Sequence, residues 1–171
     1  GLRPDQINRL GIGRTFQKLK PFPQMTVEEN VMVGLMQHVS QMNEAREEAH
    51  RYLEFVGLID KMSVYAHGLS TGQRKRLELA RAMASRPKLL LLDEVTGGVD
   101  QKTVPELVSL VERLRTEGTT VVLIEHNMKV LMSLADHVVA LHLGQQIAYG
   151  RPQEIQAHKQ VIESYLGASY A

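Results

Sequence analysis

The sequence predicts an α/β fold, in which a mostly parallel sheet forms a core beside an inserted helical sub-domain. From residue 87 onward predicted strands and helices alternate, which is typical of strands joined by helical crossovers. Residues 26–86, in contrast, have the apolar period of helices almost throughout. The chain of 171 residues, 43% of them hydrophobic, is long enough to bury a core. We therefore expect a helical sub-domain at 26–86, an α/β core at 87–150 and a helical tail at 151–171.

The first predicted elements are a short helix at 4–10, with Pro4 suited to its first turn, and a short strand at 12–16. Gln17 then begins a loop, because Pro21 and Pro23 interrupt the hydrogen bonding of helices and of strands.

Three helices are predicted in the helical sub-domain. Thr26 and Glu29 have the spacing of a capping box, which starts the first helix. The second spans 43–55 and the third 71–85. Their periodicity places these residues inward: Val27, Val31, Leu35; Ala45, Ala49, Tyr52, Phe55, Val56; Leu77, Ala80, Ala84. On the third helix, Arg74, Lys75 and Arg81 are expected to point mostly outward.

The aliphatic run at 89–92, bounded by charge, predicts a strand buried on both faces of a parallel sheet. A turn at Gly144-Gln145 predicts that the last two strands pair as a hairpin. The remaining predicted elements are helices at 103–116, 128–134, 152–156 and 158–166, and strands at 119–124, 137–143 and 146–149.

The charge balance excludes some classes of partner. Twenty Lys and Arg residues against 19 Asp and Glu leave a net charge of +1, so we expect no nucleic-acid partner. The sequence has no apolar run of the roughly 20 residues that cross a bilayer, so we expect no direct membrane insertion. With no cysteine there is no disulfide framework.

Asp93 and Glu94 follow the aliphatic run directly. Ligands of open α/β sheets bind beyond the carboxyl ends of the strands, so both carboxylates can face one bound group. One would hold a hydrated magnesium ion and the other would polarise an attacking water. The alternative is a solvated strand end that carries two acidic residues.

The run Ser70-Thr71-Gly72-Gln73 begins the third helix. Exposed backbone N–H groups and the helix dipole favour an anion there, and Gly72 would let a phosphate approach the backbone. The alternative is a plain helix cap, in which Ser70 serves only its own helix.

The order of these motifs resembles that of the ATP-binding cassette (ABC) transport ATPases, whose core is of the P-loop NTPase type. Gln17 matches that family's Q-loop, LSTGQ at 69–73 its signature, and Asp93-Glu94 its Walker B pair. Asp100 matches the D-loop and His126 the switch histidine, so the match covers essentially the whole chain.

The resemblance implies ATP and Mg²⁺ as cofactors and catalytic roles for Glu94, His126 and Gln17. Asp93 and Gln17 would serve the metal. Four further residues would contact the ATP of an opposing subunit or the dimer interface, namely Ser70, Gly72, Gln73 and Asp100. Phe22 and Met25 would contact the transmembrane permease subunits or pack in the core.

The stretches GIGRTFQ, PFPQMTVEENVMVG and IAYGRPQEI more specifically resemble the ATPases of branched-chain and hydrophobic amino acid importers. We therefore expect an importer subunit, cytoplasmic and peripheral on the inner face of the membrane. Two alternatives stay open: a non-catalytic module that offers its signature motif to a partner ATPase, and a non-transport ABC ATPase.

The sequence contains no G-x-x-x-x-G-K-[ST] phosphate loop, the Walker A motif of the family. We expect the chain as given to bind ATP weakly or not at all, and truncation at the N-terminus to be the explanation. Loss of the strand before that loop would expose the aliphatic side chains of residues 89–92, making the isolated chain less stable and prone to associate.

Overall fold

The computed structural model describes residues 1–16 and 20–165. They fall into two compact units, Gly1–His126 and Asn127–Ala171, the second described as far as residue 165. This division does not coincide with the sub-domain boundaries expected at 86 and 150, which stay predictions.

The first unit contains a parallel sheet of three strands in the order β1 (Ile12–Arg14), β2 (Leu89–Asp93), β3 (Thr120–Ile124). The parallel arrangement and the position of β2 agree with the sequence, although β1 ends two residues earlier than predicted.

The expected exposure of residues 89–92 is found on one face of β2 only. Leu90 and Leu92 are buried, whereas Leu89 and Leu91, on the opposite face, are half-buried, so the prediction that this strand is buried on both faces is wrong. More strongly exposed aliphatic side chains lie on β3, where Val122 is 49% and Ile124 61% exposed. Within the described residues β3 pairs with β2 alone, so it forms the edge of this sheet.

Five α-helices accompany this sheet: α1 (Pro4–Arg9), α2 (Val27–Leu35), α3 (Met42–Phe55), α4 (Thr71–Ala84) and α5 (Val104–Thr116). The capping box of α2 is confirmed, since Thr26 Oγ1 accepts from Glu29 N at 3.2 Å and a Glu29 carboxylate oxygen accepts from Thr26 N at 2.7 Å. Helices α2, α3 and α4 pack on one another. The predicted inward residues Val27, Val31, Leu35, Leu77, Ala80 and Ala84 are all fully buried.

The outward orientation predicted for Lys75 is wrong, because its side chain is only 5% exposed. Lys75 lies one helical turn before the buried Leu79, so the two share a face of α4. A charged side chain is expected to face solvent, but the tertiary structure places the Glu94 carbonyl oxygen beside Lys75 as a hydrogen-bond acceptor.

The second unit contains α6 (Met128–Leu134), β4 (Val138–His142), β5 (Gln145–Gly150), α7 (Pro152–Gln156) and α8 (Lys159–Tyr165). The predicted hairpin is confirmed, since β4 and β5 are antiparallel. His142 pairs with Gln145, and the two turn residues Leu143 and Gly144 have φ of 48° and 78°. The turn is therefore centred one residue earlier than predicted. Its core consists of Val138, Ala140, Ala148, Ile155 and Val161.

No helix within residues 1–16 and 20–165 combines the length and the apolar character needed to cross a bilayer.

Helices α2 and α4 touch at Gly34. A Cβ at this position would lie 2.7 Å from the Arg81 carbonyl oxygen and 2.8 Å from Ala84 Cβ. The close approach of the two helices therefore depends on the absence of a side chain.

We predict that Gly34→Ala lowers the free energy of unfolding by about 1–3 kcal/mol, because the added methyl group overpacks the α2–α4 contact. Urea unfolding of the natural protein measures the change. Gly68→Ala is the matched control, since the nearest atom to a Cβ there is 3.6 Å away. Equal stability of the two variants would contradict the prediction.

Candidate functional site

Three of the predicted site residues meet at the carboxyl ends of β2 and β3. Asp93 is the last residue of β2 and pairs with Ile124, the last residue of β3. Glu94 N donates to the Ile124 carbonyl oxygen at 2.9 Å. His126 follows β3 by two residues, and its Nδ1 lies 3.5 Å from Glu94 Oε1. The parallel register thus brings two carboxylates and an imidazole to one edge.

The end of β1 lies beside Asp93. Arg14 Nη2 is 3.6 Å from Asp93 Oδ2, and Asp93 N donates to Thr15 Oγ1 at 3.3 Å. Arg14 thereby places a positive charge next to the carboxylate. Gln17, the other predicted metal and catalytic residue, lies outside the described residues.

A second connection joins the loops after β2 and β3. Glu125 Oε1 accepts from the Thr96 backbone N at 2.9 Å and from Thr96 Oγ1 at 2.7 Å, and Thr96 is buried. Sequence reasoning did not assign a role to either residue. The sequence offers one indication of their position, because Glu125 directly precedes His126 and so lies at the same sheet edge.

The backbone of Glu94 is held in an uncommon conformation. Its φ is +49°, in the left-handed region that costs a non-glycine residue about 1–3 kcal/mol. The Glu94 carbonyl oxygen accepts from Lys75 Nζ at 2.6 Å and from Gly97 N at 3.0 Å. These bonds, with the one from Glu94 N to Ile124, fix both peptide groups of the residue.

The helix-cap interpretation of the LSTGQ motif is confirmed. Ser70 Oγ accepts from Gln73 N at 3.3 Å, and Gln73 Oε1 accepts from Ser70 N at 3.0 Å. The two side chains form a capping box at the start of α4. The capping box does not use the N–H groups of Thr71 and Gly72 in the first turn, so the cap is compatible with an anion there.

Gly72 and Asp100 belong to one cluster around Thr103. A Cβ on Gly72 would lie 2.8 Å from Thr103 Cγ2. The Asp100 carboxylate accepts from Thr103 Oγ1 and from Thr103 N, both at 3.0 Å. These hydrogen bonds from Thr103 lower the pKa of Asp100 below its ordinary value. The start of α4 and the start of α5 are therefore packed together through one threonine.

Helix α4 also contacts both ends of the segment that contains Gln17. Glu78 Oε1 accepts from Phe16 N at 3.2 Å, and Arg81 Nη1 donates to the Lys20 carbonyl oxygen at 2.9 Å. Burial raises the pKa of the Glu78 carboxyl above its ordinary value, and the bond from Phe16 N opposes that rise.

These residues border a groove of about 720 Å³ between α1, β1, α2 and α4. Its lining includes Arg14, Phe16, Lys20, Met36, Glu78 and Arg81. Phe22 and Met25 are not among the lining residues. The Phe22 ring instead lies under the Arg81 guanidinium, at 4.6 Å, and its backbone N and O bond to the buried Asn30 side chain.

The donor atoms at the sheet edge suit a hydrated Mg²⁺, which prefers oxygen ligands and keeps several waters. The Asp93 and Glu94 side chains are 25% and 28% exposed, which leaves carboxylate oxygens accessible. Within the described ranges no three acidic or histidine side chains gather into a metal cluster, so a metal here would have few protein ligands. The G-x-x-x-x-G-K-[ST] motif that cradles nucleotide phosphates in P-loop proteins does not occur among the 171 residues of this sequence.

The comparisons with known proteins agree with this architecture. The family model described as "ABC transporter" matches residues 3–97, more than half of the chain. The fold and the site thus define an ATP-binding cassette, and the chain belongs to the ABC transporter family. Residues 145–171 match a second model, described as "Branched-chain amino acid ATP-binding cassette transporter".

Two curated relatives are branched-chain amino acid transport ATP-binding proteins. The high-affinity branched-chain amino acid transport ATP-binding protein BraF of Pseudomonas aeruginosa is 38% identical, over 98% of this chain and 72% of that protein. The corresponding protein LivG of Escherichia coli is 36% identical over the same shares.

Solved structures are similar as well. An ATP-binding cassette of an ABC transporter in its ADP conformation has a TM-score of 0.83 and is 30% identical in sequence. The match covers 97% of this chain and 72% of the chain in that structure. A dimeric cassette in a post-hydrolysis state, bound to ADP and phosphate, has a TM-score of 0.78 and 27% identity, covering 88% and 68%.

We predict that Glu78→Gln raises stability at pH 7. A raised pKa means that the native state disfavours the charged carboxylate, so stability falls as pH rises from the ordinary glutamate pKa of about 4.3 through the raised native value. Glutamine keeps an acceptor for Phe16 N but carries no charge. The urea concentration at the midpoint of unfolding should therefore be higher for the variant than for the unchanged protein at pH 7. The two midpoints should converge as the pH is lowered toward 4. A gap that is independent of pH would contradict this.

Proposed function

We propose that the chain supplies the ATP-hydrolysing machinery of an importer of branched-chain or related hydrophobic amino acids. The observation that carries this proposal is the convergence of Asp93, Glu94 and His126 at one edge of a parallel sheet. Membership of the ABC family and the likeness to BraF and LivG support the solute class.

In this proposal each residue at the sheet edge has a separate task. Asp93 would hold the magnesium ion, mostly through its water, and Arg14, 3.6 Å from that carboxylate, would orient it. Glu94 orients the water that attacks the γ-phosphate, and His126 contacts the γ-phosphate. Bound Mg–ATP would supply the electrophilic phosphorus and neutralise developing charge. By resemblance to the family, Gln17 would serve the metal and the water.

Ser70, Gly72 and Gln73 serve a second nucleotide, held by an opposing ATPase subunit. The capped start of α4 offers backbone N–H groups and a positive dipole end to a γ-phosphate. Asp100 connects the two sites, and its bonds to Thr103 place it beside Gly72. The dimeric, nucleotide-bound cassette among the structural relatives supports such an arrangement.

The groove between α1, β1, α2 and α4 would receive a segment of a transmembrane permease subunit. Its lining includes Phe16 and Lys20, the described residues on either side of the Gln17 segment, so a bound permease segment would contact both. Its border is exposed and partly apolar, with Phe16 and Met36 54% and 70% exposed. The protein would then be cytoplasmic and peripheral on the inner face of the membrane, attached through the permease.

We predict that Glu94→Gln preserves ATP binding and lowers turnover at least about 100-fold, because the amide cannot orient and polarise the attacking water. Steady-state phosphate release and equilibrium nucleotide binding by the natural protein measure the two effects. Glu117→Gln, a surface change after α5, is the matched control. Turnover near that of the unchanged protein would remove Glu94 from its role.

One observation favours a second candidate function. The signature end of α4 is complete and capped, and it is the part of the chain that would serve a nucleotide held by another subunit. The chain would then be a non-catalytic module that offers Ser70 to Gln73 to a partner ATPase. In that case the partner's hydrolysis would tolerate Glu94→Gln but would be lost on Gly72→Asp, whereas the importer ATPase would be sensitive to both.

A further inference from the structure

The burial of Lys75 calls for an explanation. Among the described residues it is the only buried lysine or arginine. Removing an ammonium group from water costs several kcal/mol unless bonds and charges compensate. The ammonium group of Lys75 donates to the Glu94 carbonyl oxygen at 2.6 Å, which supplies part of that compensation. The buried ammonium group of Lys75 is therefore bonded to the backbone of Glu94.

The group that Lys75 contacts is the one whose conformation is unusual. Glu94 has a left-handed φ, and the orientation of its carbonyl follows from that φ and the adjoining ψ. A buried cation with a carbonyl oxygen at 2.6 Å stabilises that orientation more strongly than a neutral donor would. The direction in which the Glu94 side chain leaves the backbone, toward His126, is fixed by the same backbone conformation.

Gly97 completes the arrangement. It donates its N–H to the same carbonyl oxygen at 3.0 Å, and a Cβ on Gly97 would lie 3.3 Å from Glu94 Oε2. The loop after β2 therefore folds closely around the Glu94 carboxylate and leaves it little room for other positions.

We propose that Lys75 is a positioning residue for Glu94. It holds the backbone of the carboxylate that orients the attacking water, an inference that rests on the function proposed above. Because Lys75 lies five residues after Ser70 on the same helix, it also ties the orientation of Glu94 to the position of the signature motif. The helix that serves the neighbour's nucleotide would thus set the geometry of the chain's own catalytic carboxylate.

The test is steady-state ATP hydrolysis by the natural protein carrying Lys75→Met, Lys75→Arg or, as matched control, Lys88→Met at an exposed site. Methionine keeps the length and apolar stem but removes the donor. We expect kcat to fall about tenfold or more with KM within about twofold, since misplacing a reacting group by a fraction of an ångström has effects of this order. Lys75→Arg should restore most of kcat, and Lys88→Met should leave it unchanged.

Each outcome decides a different question. Absence of hydrolysis in the unchanged protein would overturn the proposed function, whereas equal kcat for the unchanged protein and Lys75→Met would overturn the role of Lys75 alone. If Lys75→Met lowered kcat, ATP affinity and the melting temperature together, Lys75 would be a packing residue and its positioning role would be overturned.

A second variant keeps the proposal testable if Lys75→Met does not fold. Gly97→Ala retains the N–H donor but crowds Glu94 Oε2. We expect it to lower kcat with little change in KM. Unchanged kcat in Gly97→Ala would show that the position of Glu94 is not limiting, which would overturn the proposal.

Discussion

The parallel pairing of β2 with β3 is the constraint on which the site depends. Its register sets Asp93 opposite Ile124, so the residues that follow the two strands emerge at the same edge. The bond from Glu94 N to the Ile124 carbonyl oxygen extends this pairing one residue beyond β2. A shift of one residue would reverse the faces of every side chain on the strand and separate Glu94 from His126. The arrangement of the candidate site is thus a consequence of backbone hydrogen bonding.

Helix α4 holds several parts of the first unit together, and it does so through contacts on two different faces. Its small residues allow the close contact with Gly34 on α2. Its polar positions 75, 78 and 81, three residues apart, form a ridge along one side. Along that ridge Lys75 bonds to Glu94, Glu78 to Phe16 and Arg81 to Lys20. One rigid helix therefore connects the capped signature motif, the loop after β2 and both ends of the segment around Gln17.

Much of the local structure could be predicted because it follows from contacts between residues close in sequence. The capping boxes at Thr26 and Ser70, the buried face of α2 and the β4–β5 hairpin depend on spacings of a few residues. The candidate site could be predicted in outline for a related reason, since Asp93, Glu94 and His126 follow aliphatic strands directly. The roles of Thr96, Glu125 and Lys75 could not, because their partners lie 19 or more residues away.

The sequence by itself determined the class of fold, the order of the motifs and the residues that carry oxygen and nitrogen ligands at the strand ends. Those properties depend on hydrophobic period, capping and the chemistry of single side chains. Only the tertiary structure decided that Lys75 is buried, that β3 and not β2 is the exposed edge, and that the groove is lined by Phe16 and Met36 and not by Phe22. The reason is that burial is a property of what packs against a residue. A charged side chain five positions into a helix carries no sign of the distant carbonyl oxygen that the fold places beside it.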